Sequence, residues 1–183
     1  MAIRRFSLIL LVALALSLWS SPAEAQAATI ILARHAEKAA PTGDPGLTAI
    51  GEQRARDLAT ALADVTLAAI ITTQYRRTQL TAAPAALAAK LEPLVIQATG
   101  GITATAAVVQ ALDALPAGST ALVVGHSNTL GAIIAALGGP SVAELCDSEH
   151  STLLIVLRPQ GDGKVSLVRS RYGAAEPVGA NQC

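Results

Sequence analysis

Apolar runs of a few residues alternate with amphipathic stretches along residues 27–183, and this alternation predicts the secondary structure. Runs rich in β-branched and aliphatic residues predict strands at 29–33, 68–72, 94–97, 120–124, 153–157 and 165–168. Apolar residues at helical spacing predict helices at 48–62, 78–91, 105–115 and 129–137. Thr48 is a candidate N-cap, and Pro84 predicts a kink in the second helix.

The order of these elements predicts a three-layer α/β/α sandwich. Strands that alternate with helices form a mostly parallel sheet with helices on both faces. The last two strands are joined by a short segment with the turn sequence Gly161-Asp162-Gly163, so we predict an antiparallel hairpin at one edge. The chain holds no internal repeat and no low-complexity linker, which predicts a single domain over residues 27–183.

The first 25 residues are predicted to be a signal peptide. Arg4 and Arg5 precede an apolar run at 8–19, and Ala23-Glu24-Ala25 is typical of a cleavage site. The run is short for a membrane span, which needs about 20 residues. An uncleaved anchor is the alternative, but we expect cleavage after Ala25, an exported protein that is periplasmic or secreted, and no stable membrane span afterwards.

Composition narrows the class of protein. The apolar fraction of 52% and the charged fraction of 14% are typical of a folded domain rather than a disordered chain. The formal net charge is +0, and no basic run is interleaved with aromatic residues, so we expect no nucleic-acid partner. Export permits disulfides, and we predict that Cys146 pairs with Cys183, with two free thiols as the alternative.

Histidine and arginine side chains follow the ends of three predicted strands. Arg34 and His35 follow the first strand, Arg76 and Arg77 the second, and His126 the fourth. In an open α/β sheet, ligands bind beyond the carboxyl ends of the strands. Because arginine binds phosphate with two donors and keeps its charge, this edge of the sheet predicts a site for a phosphate dianion. The helix after the fourth strand starts at the same edge, and its N-terminal amides also favour an anion.

Four sequence blocks resemble the histidine phosphatase (phosphoglycerate mutase-like) superfamily, in the same order and with similar spacing. They cover nearly all of residues 29–137 and are Arg34-His35-Ala36-Glu37, Leu47-Thr48-x-x-Gly51, Thr73-x-x-x-Arg77-Thr78-x-x-Thr81-Ala82 and Val124-Gly125-His126-Ser127. The resemblance implies a phosphoglycerate mutase-like fold, a phosphatase activity and no metal or other cofactor.

The resemblance also implies a role for each matching residue. His35 attacks phosphorus and becomes a phosphohistidine, Arg34 and Arg77 bind the phosphoryl oxygens, and His126 donates a further hydrogen bond. The motif register selects Arg77 over Arg76. Two neighbouring cations disfavour an imidazolium, so we expect the pKa of His35 to lie below the ordinary value of about 6.5.

A general acid is missing from its usual places in this pattern. Residues 97–111 contain no carboxylate, and Ser127 stands where an Asp often follows the second histidine. Glu37 is the remaining candidate, as a proton donor or as a residue that orients water; the alternative is an ion pair with Lys38 or an arginine. Without a general acid, substrates with good leaving groups such as phosphoramidates, acyl phosphates and pyrophosphates are favoured.

We therefore expect a metal-independent phosphatase that hydrolyses a phosphomonoester or an activated phosphate. Its expected partners are phosphorylated small molecules, glycans or phosphoproteins, and nothing in the sequence indicates an oligomeric state. One alternative is an exported protein that binds a phosphorylated ligand with a degenerate active site. Another is a serine hydrolase, because Gly125-His126-Ser127-Asn128-Thr129 nearly matches the G-x-S-x-G elbow and Asp147 and His150 follow. Otherwise His150 is expected to lie in a polar loop without a catalytic role.

Overall fold

A six-stranded sheet with two helices on each face forms the part of the chain that the structure describes. The computed structural model describes residues 28–99, 101–159, 161 and 163–176. The strands are β1 (Ala28–Arg34), β2 (Ala69–Thr73), β3 (Leu94–Ile96), β4 (Thr120–Gly125), β5 (Thr152–Arg158) and β6 (Ser166–Arg171). The helices in the described part are α1 (Ala49–Ala61), α2 (Arg76–Ala89), α3 (Gly101–Asp113) and α4 (Ser127–Ala136).

The strand order is β3-β2-β4-β1-β5-β6. The first four strands of this order pair in parallel, whereas β5 pairs antiparallel with both β1 and β6. The predicted mostly parallel sheet and the antiparallel hairpin at its edge are both confirmed. The carboxyl ends of β1 and β4 lie side by side, with Arg34 opposite Gly125. This register brings the segments that follow the two strands to one place.

Alternating residues of the central strands build two separate cores. Ile30 and Leu32 of β1 face the side covered by α3 and α4, where Val108, Leu112 and Ile133 also pack. On the opposite face Ile31 and Ala33 pack with Leu58 of α1 and with Ala82 and Ala85 of α2. The alternation follows from the two-residue period of a strand and confirms the three-layer architecture.

The predicted helix boundaries are close to the observed ones, except at α3. This helix begins at Gly101, four residues before the predicted start at 105. Its first turn carries Ile102 with 86% of its surface exposed, so apolar periodicity does not reveal that turn. Pro84 lies inside α2, which continues to Ala89.

Some predictions concern residues outside the described ranges. The predicted signal peptide at 1–25 and Cys183 lie there, as do Asp162 of the predicted turn and residue 177 onward. Cys146 is buried and disulfide-bonded. Among the residues that the structure describes, no helix is both long and apolar enough to span a bilayer.

Candidate active site

The nucleophile candidate His35 lies directly after β1 and is held from several sides. Its backbone N–H donates to the carbonyl of Gly125 at 2.9 Å, which joins it to the end of β4. The next residue, Ala36, donates its N–H to Thr81 Oγ1 of α2 at 2.9 Å. His35 is 4% exposed, so the ring lies in an enclosed place at the predicted edge of the sheet.

The hydrogen bonds of His35 determine which ring nitrogen carries the proton. Nδ1 lies 2.8 Å from the carbonyl oxygen of Ala36. A carbonyl oxygen only accepts, so Nδ1 must donate, and in the neutral ring Nε2 keeps its lone pair. Burial lowers the pKa of His35 to about 3, and the charges of Arg34, His126 and Arg77 also lower it, against the opposing effect of the Ala36 bond. At neutral pH the His35 ring is therefore neutral. The predicted direction of the pKa shift is confirmed, and burial is the main cause.

His126 is the second ring of the site. It follows β4 directly, and its ring centroid lies 5.4 Å from that of His35. Nε2 lies 3.1 Å from Thr73 Oγ1, which in turn lies 2.9 Å from Thr78 Oγ1. The single hydroxyl proton of Thr78 is directed at the Tyr75 carbonyl at 2.8 Å. Thr73 then donates to Thr78 and accepts from His126 Nε2, which leaves Nδ1 of His126 for a ligand.

Burial lowers the pKa of His126 to about 4, and the charges of Arg77, Arg34 and Lys38 lower it further. Both rings are therefore neutral in the free site at neutral pH. A bound anion has the opposite effect, because a nearby negative charge favours the imidazolium. A phosphate dianion would then favour protonation of His126 at Nδ1, and this N–H could donate to a phosphoryl oxygen.

The two predicted phosphate-binding arginines keep unused hydrogen-bond donors. Arg34 is buried and donates from Nη1 to the Cys146 carbonyl at 2.5 Å and from Nη2 to Asp147 Oδ1 at 2.9 Å. Arg77 is half-buried, and its guanidinium stacks on the Tyr75 ring at 4.2 Å. Within the described residues, Nε of each arginine is buried and has no hydrogen-bond partner. Buried donors without a partner are costly and rare, so they indicate a ligand that accepts hydrogen bonds.

The neighbouring Arg76 behaves differently from Arg77. Its side chain is exposed, and its backbone N–H donates to Asp44 Oδ1 at 2.9 Å. The charge of Arg77 acts on both His35 and His126. The structure thus brings Arg34, His35, Arg77 and His126 together, as the motifs predict, and leaves Arg76 outside.

The Leu-Thr-x-x-Gly block positions α1 against the segment after β1. Thr48 caps the helix by accepting from the Gly51 N–H at 3.0 Å, and its own N–H donates to the Glu37 carbonyl at 2.8 Å. A Cβ on Gly51 would collide with the Glu37 backbone, so only glycine permits this close approach. Arg54, one turn further along α1, consequently reaches the Glu37 side chain.

Glu37 forms an ion pair with Arg54. Nε of Arg54 lies 2.8 Å from one carboxylate oxygen and 3.0 Å from the other. Burial raises the pKa of Glu37, but the hydrogen bonds from Arg54 and the backbone outweigh it and hold the pKa below its ordinary value. These contacts favour the ion-pair alternative, with an arginine as partner and not Lys38. The role of Glu37 as general acid stays a prediction, and an ionised carboxylate counts against it.

His150 belongs to the cluster, although its position before β5 suggests only a polar loop. The residue is 8% exposed, and its ring centroid lies 6.0 Å from that of His35. Nδ1 lies 3.0 Å from the His35 carbonyl oxygen, so Nδ1 donates. The predicted loop position before β5 is confirmed, but the residue is buried beside His35, because β5 runs antiparallel to β1 and starts where β1 ends.

The three residues that the serine hydrolase alternative requires each contact a residue outside this set of three. Ser127 Oγ donates to Glu144 at 3.1 Å, His150 donates to the His35 carbonyl, and Asp147 pairs with Arg34. No Ser-His-Asp chain of hydrogen bonds connects them. The described residues also contain no group of three or more His, Cys, Asp and Glu side chains that could hold a metal ion.

Comparison with known proteins supports the resemblance. Residues 30–99 match the model of the histidine phosphatase superfamily (branch 1). No curated protein sequence matches the chain. Among solved structures, a protein named mycobacterial hydrolase 2 is 17% identical with a TM-score of 0.60, over 83% of this chain and 93% of that one.

Two further structures share the fold and are named as phosphatases. A mycobacterial glucosyl-3-phosphoglycerate phosphatase in complex with VO3 is 15% identical with a TM-score of 0.59, over 80% of this chain and 99% of that one. The protein histidine phosphatase SixA in complex with tungstate is 18% identical with a TM-score of 0.59, over 78% and 96% of the two chains. At these identities the structures show a common fold.

Proposed function

We propose that this protein belongs to the histidine phosphatase superfamily, whose model matches residues 30–99, and that it is a metal-independent phosphatase that forms a phosphohistidine at His35. The observation that carries the proposal is a neutral imidazole beside two guanidiniums with unused donors. His35 directs a lone pair from Nε2, while Nε of Arg34 and of Arg77 are buried without a partner among the described residues. A phosphoryl group satisfies all three, because it offers an electrophilic phosphorus and several acceptor oxygens.

The first chemical step transfers the phosphoryl group to His35. Its Nε2 attacks phosphorus and the bond to the leaving group breaks, with the electron pair leaving on that group. Arg34, Arg77 and protonated His126 bind the equatorial oxygens, where charge is spread in the transition state. Positioning and charge stabilisation supply most of the catalysis in such a reaction, and both are present in the side chains of this site.

The second step hydrolyses the phosphohistidine. Water attacks phosphorus, inorganic phosphate leaves and the neutral His35 is restored. The bond from Nδ1 to the Ala36 carbonyl, 2.8 Å long, holds the proton of the neutral ring on Nδ1, so that Nε2 is the nitrogen that attacks in every cycle.

We propose a phosphomonoester or an activated phosphate as the substrate class, carried by a small molecule, a glycan or a phosphoprotein. The ion pair between Glu37 and Arg54 removes the one carboxylate near His35 that the motifs offer as an acid. Activated phosphates need little protonation of the leaving group and fit such a site. Two proteins with this fold are named for glucosyl-3-phosphoglycerate phosphatase and for protein histidine phosphatase activity, which supports a small-molecule or a protein carrier.

A substrate screen tests the proposal. We expect wild-type protein to hydrolyse p-nitrophenyl phosphate, acetyl phosphate or a phosphohistidine peptide, and vanadate to abolish the activity. His35→Ala should lose at least about 10⁴-fold in kcat, as expected for removal of a nucleophile. Ser127→Ala is the matched control and should stay active, since the Ser127 hydroxyl donates to Glu144.

The second candidate function is binding of a phosphorylated ligand without turnover. The absence of an unpaired carboxylate among the described site residues favours it. Trapping of acid-labile radiolabelled phosphate on wild type, but not on His35→Ala, would establish the enzyme. Tight phosphate binding with no trapped phosphohistidine and no turnover would establish the binding protein instead.

We also propose export of the chain, with cleavage after Ala25. The support is the order of Arg4-Arg5, the apolar run and Ala23-Glu24-Ala25. Expression of the full chain in a bacterial host followed by N-terminal sequencing of the periplasmic fraction should find Gln26 as the first residue. An intact N-terminus in the membrane fraction would indicate the uncleaved anchor.

A further inference from the structure

His150 is held in one orientation next to the nucleophile. Its Nδ1 donates to the His35 carbonyl at 3.0 Å, and its backbone N–H donates to Glu176 Oε1 at 2.6 Å. The Ser151 N–H donates to the same Glu176 oxygen. A side chain fixed through Nδ1 presents its other nitrogen, Nε2, in a defined direction.

Nε2 of His150 is available to a ligand. No described residue forms a hydrogen bond with Nε2, whereas Nδ1 has a partner. Nε2 is also not among the fully buried side-chain atoms that have no hydrogen-bond partner. The ring lines a cleft of about 770 Å³, together with Glu37, Ile50, Gln53 and Ala174. The cleft lies beside the cluster, because Glu37 and His150 line it whereas Arg34, His35, Arg77 and His126 do not. It is large enough for a small organic group.

The carboxylates around the site are already engaged. Glu37 is bound by Arg54, Asp147 by Arg34, and Asp44 by the Arg76 N–H. Within the described part of the chain, His126 and His150 are the titratable groups next to His35 that combine a fixed orientation with an unused nitrogen. His126 is assigned to the phosphoryl oxygens, which leaves His150 for the leaving group.

We propose that His150 is the acid–base residue of this site and acts through Nε2 on the leaving group and on the attacking water. This inference rests on the proposed phosphatase function and extends it. His150 takes the role of general acid, for which no carboxylate stands in the usual places. The cleft beside Glu37 and His150 is assigned to the leaving-group part of the substrate.

The proton balance closes over one catalytic cycle. In the first step Nε2–H of the His150 imidazolium gives its proton to the leaving oxygen, as His35 Nε2 bonds to phosphorus and the P–O bond breaks. The products are an alcohol, the phosphohistidine and neutral His150. In the second step water bonds to phosphorus, the P–N bond breaks and its electron pair returns to His35. The proton of the water goes to His150 Nε2, which restores the imidazolium.

The charges around His150 set the pH range of this role. Burial lowers the pKa of His150 and the charge of Arg34 lowers it further, while the bond to the His35 carbonyl and the charges of Glu37 and Glu176 raise it. Asp147 and Glu149 lie in the same loop segment as His150. Arg54 of α1 is paired with Glu37, whose charge acts on His150. With the pKa below its ordinary value, activity on substrates with poor leaving groups should fall as the pH rises through the acidic range.

Two substrates of similar shape and His150→Asn test the proposal. Asn carries a donor at the position of Nδ1, so the bond to the His35 carbonyl is retained while the titratable nitrogen is removed. Phenyl phosphate and p-nitrophenyl phosphate differ mainly in the acidity of the leaving phenol. We expect kcat/KM to fall by about 100-fold on phenyl phosphate and by less than about 10-fold on p-nitrophenyl phosphate. Gln53→Ala, which alters the same cleft, should leave the ratio of the two substrates unchanged.

The outcomes separate the possible failures. Equal losses on both substrates, or no loss on either, in His150→Asn would overturn the acid–base role. Hydrolysis of neither substrate by wild type would instead contradict the proposed phosphatase function itself. His150→Leu also removes the donor to the His35 carbonyl, so it should add a loss common to both substrates. If that variant does not fold, the ratio measured with His150→Asn still decides the matter.

Discussion

Two kinds of arginine surround His35, and they differ in what their guanidiniums bind. Arg54 is saturated: it donates to both oxygens of Glu37 and to the Ala174 carbonyl, and Glu176 lies 3.9 Å away. Arg34 and Arg77 each keep a buried Nε without a partner among the described residues. The comparison teaches that unused donors, rather than the number of positive charges, identify the anion-binding side of the cluster.

The saturated side, formed by Arg54, Glu37 and Glu176, connects several segments of the fold and supports the segment that carries His35. Arg54 joins α1 to the segment after β1 through Glu37 and to the C-terminal segment through Ala174. Glu176 continues the connection to the backbone of His150 and Ser151. The open side is formed by Arg34 and Arg77. Their terminal nitrogens contact Cys146, Asp147 and Asp44, but Nε of each guanidinium has no partner among the described residues. Changes on the two sides should therefore have opposite consequences for stability and for activity.

The largest expected effect on stability follows Arg54→Met. Glu37 and Glu176 would lose their shared cation, and breaking a buried ion pair from one side costs about 3–5 kcal/mol. We expect the free energy of unfolding in urea, followed by circular dichroism, to fall by that amount. Arg56→Met on the same helix is the control and should change it by less than about 0.5 kcal/mol, because Arg56 is exposed. Equal stability of the two variants would refute the distinction between the two sides.

Arg77→Met should lower the activity strongly and the stability of the fold only slightly. Removal of one donor to the transferring group should lower kcat/KM on p-nitrophenyl phosphate by about 10²–10³-fold. The loss of stacking on Tyr75 should cost no more than about 1 kcal/mol of stability. Arg76→Met, next along the chain and exposed, is the matched control with expected normal activity. Equal activity of the two variants would show that the motif register selects the wrong arginine.

Much of the fold and of the open side could be predicted from the sequence. Apolar runs and helical spacing locate the strands and helices, because burial of one face imposes those periods. Arg34, His35, Arg77 and His126 each follow a strand of the parallel part of the sheet. The carboxyl ends of parallel strands meet at one edge, so these residues were certain to be neighbours once the sheet formed.

The saturated side could not be predicted in the same way. Arg54 lies in the middle of a helix, where a charged residue usually faces water, and only the three-dimensional position of α1 reveals Glu37 as its partner. His150 precedes a strand, and a parallel arrangement would place it at the far edge. Its true position depends on the antiparallel pairing of β5 with β1, in which Leu153 lies opposite Ala33. Strand direction is not encoded in a local apolar pattern.

Vanadate binding tests whether an anion binds at the open side. A ligand at 100 times its Kd should raise the free energy of unfolding by about 2.7 kcal/mol. We expect the urea midpoint of wild type to rise accordingly in the presence of vanadate. The rise should persist in Arg54→Met, measured where that variant is folded, and disappear in Arg77→Met. Loss of the shift in Arg54→Met alone would place the anion on the saturated side.

The smallest expected effect is that of Glu37→Gln, which tests whether Glu37 belongs to the saturated side. Loss of a charged partner of Arg54 should cost about 1–2 kcal/mol. Because the folded pKa of Glu37 lies below its ordinary value, this contribution is fully present above the unfolded pKa of about 4.3 and is lost as the pH falls through the lower folded pKa. The stability difference from wild type should therefore shrink in acid, as measured by urea unfolding at several pH values.

The activity of Glu37→Gln decides between the two roles of this carboxylate. An ion-pair partner affects kcat/KM through the position of His35, so the loss should be the same for phenyl phosphate and p-nitrophenyl phosphate and the pH profile should keep its shape. A proton donor affects the poorer leaving group more strongly and removes one limb of the profile. A larger loss on phenyl phosphate than on p-nitrophenyl phosphate would assign acid catalysis to Glu37 and show that its role is more than structural. Since the carboxylate receives both bonds from Nε of Arg54, we expect the uniform loss.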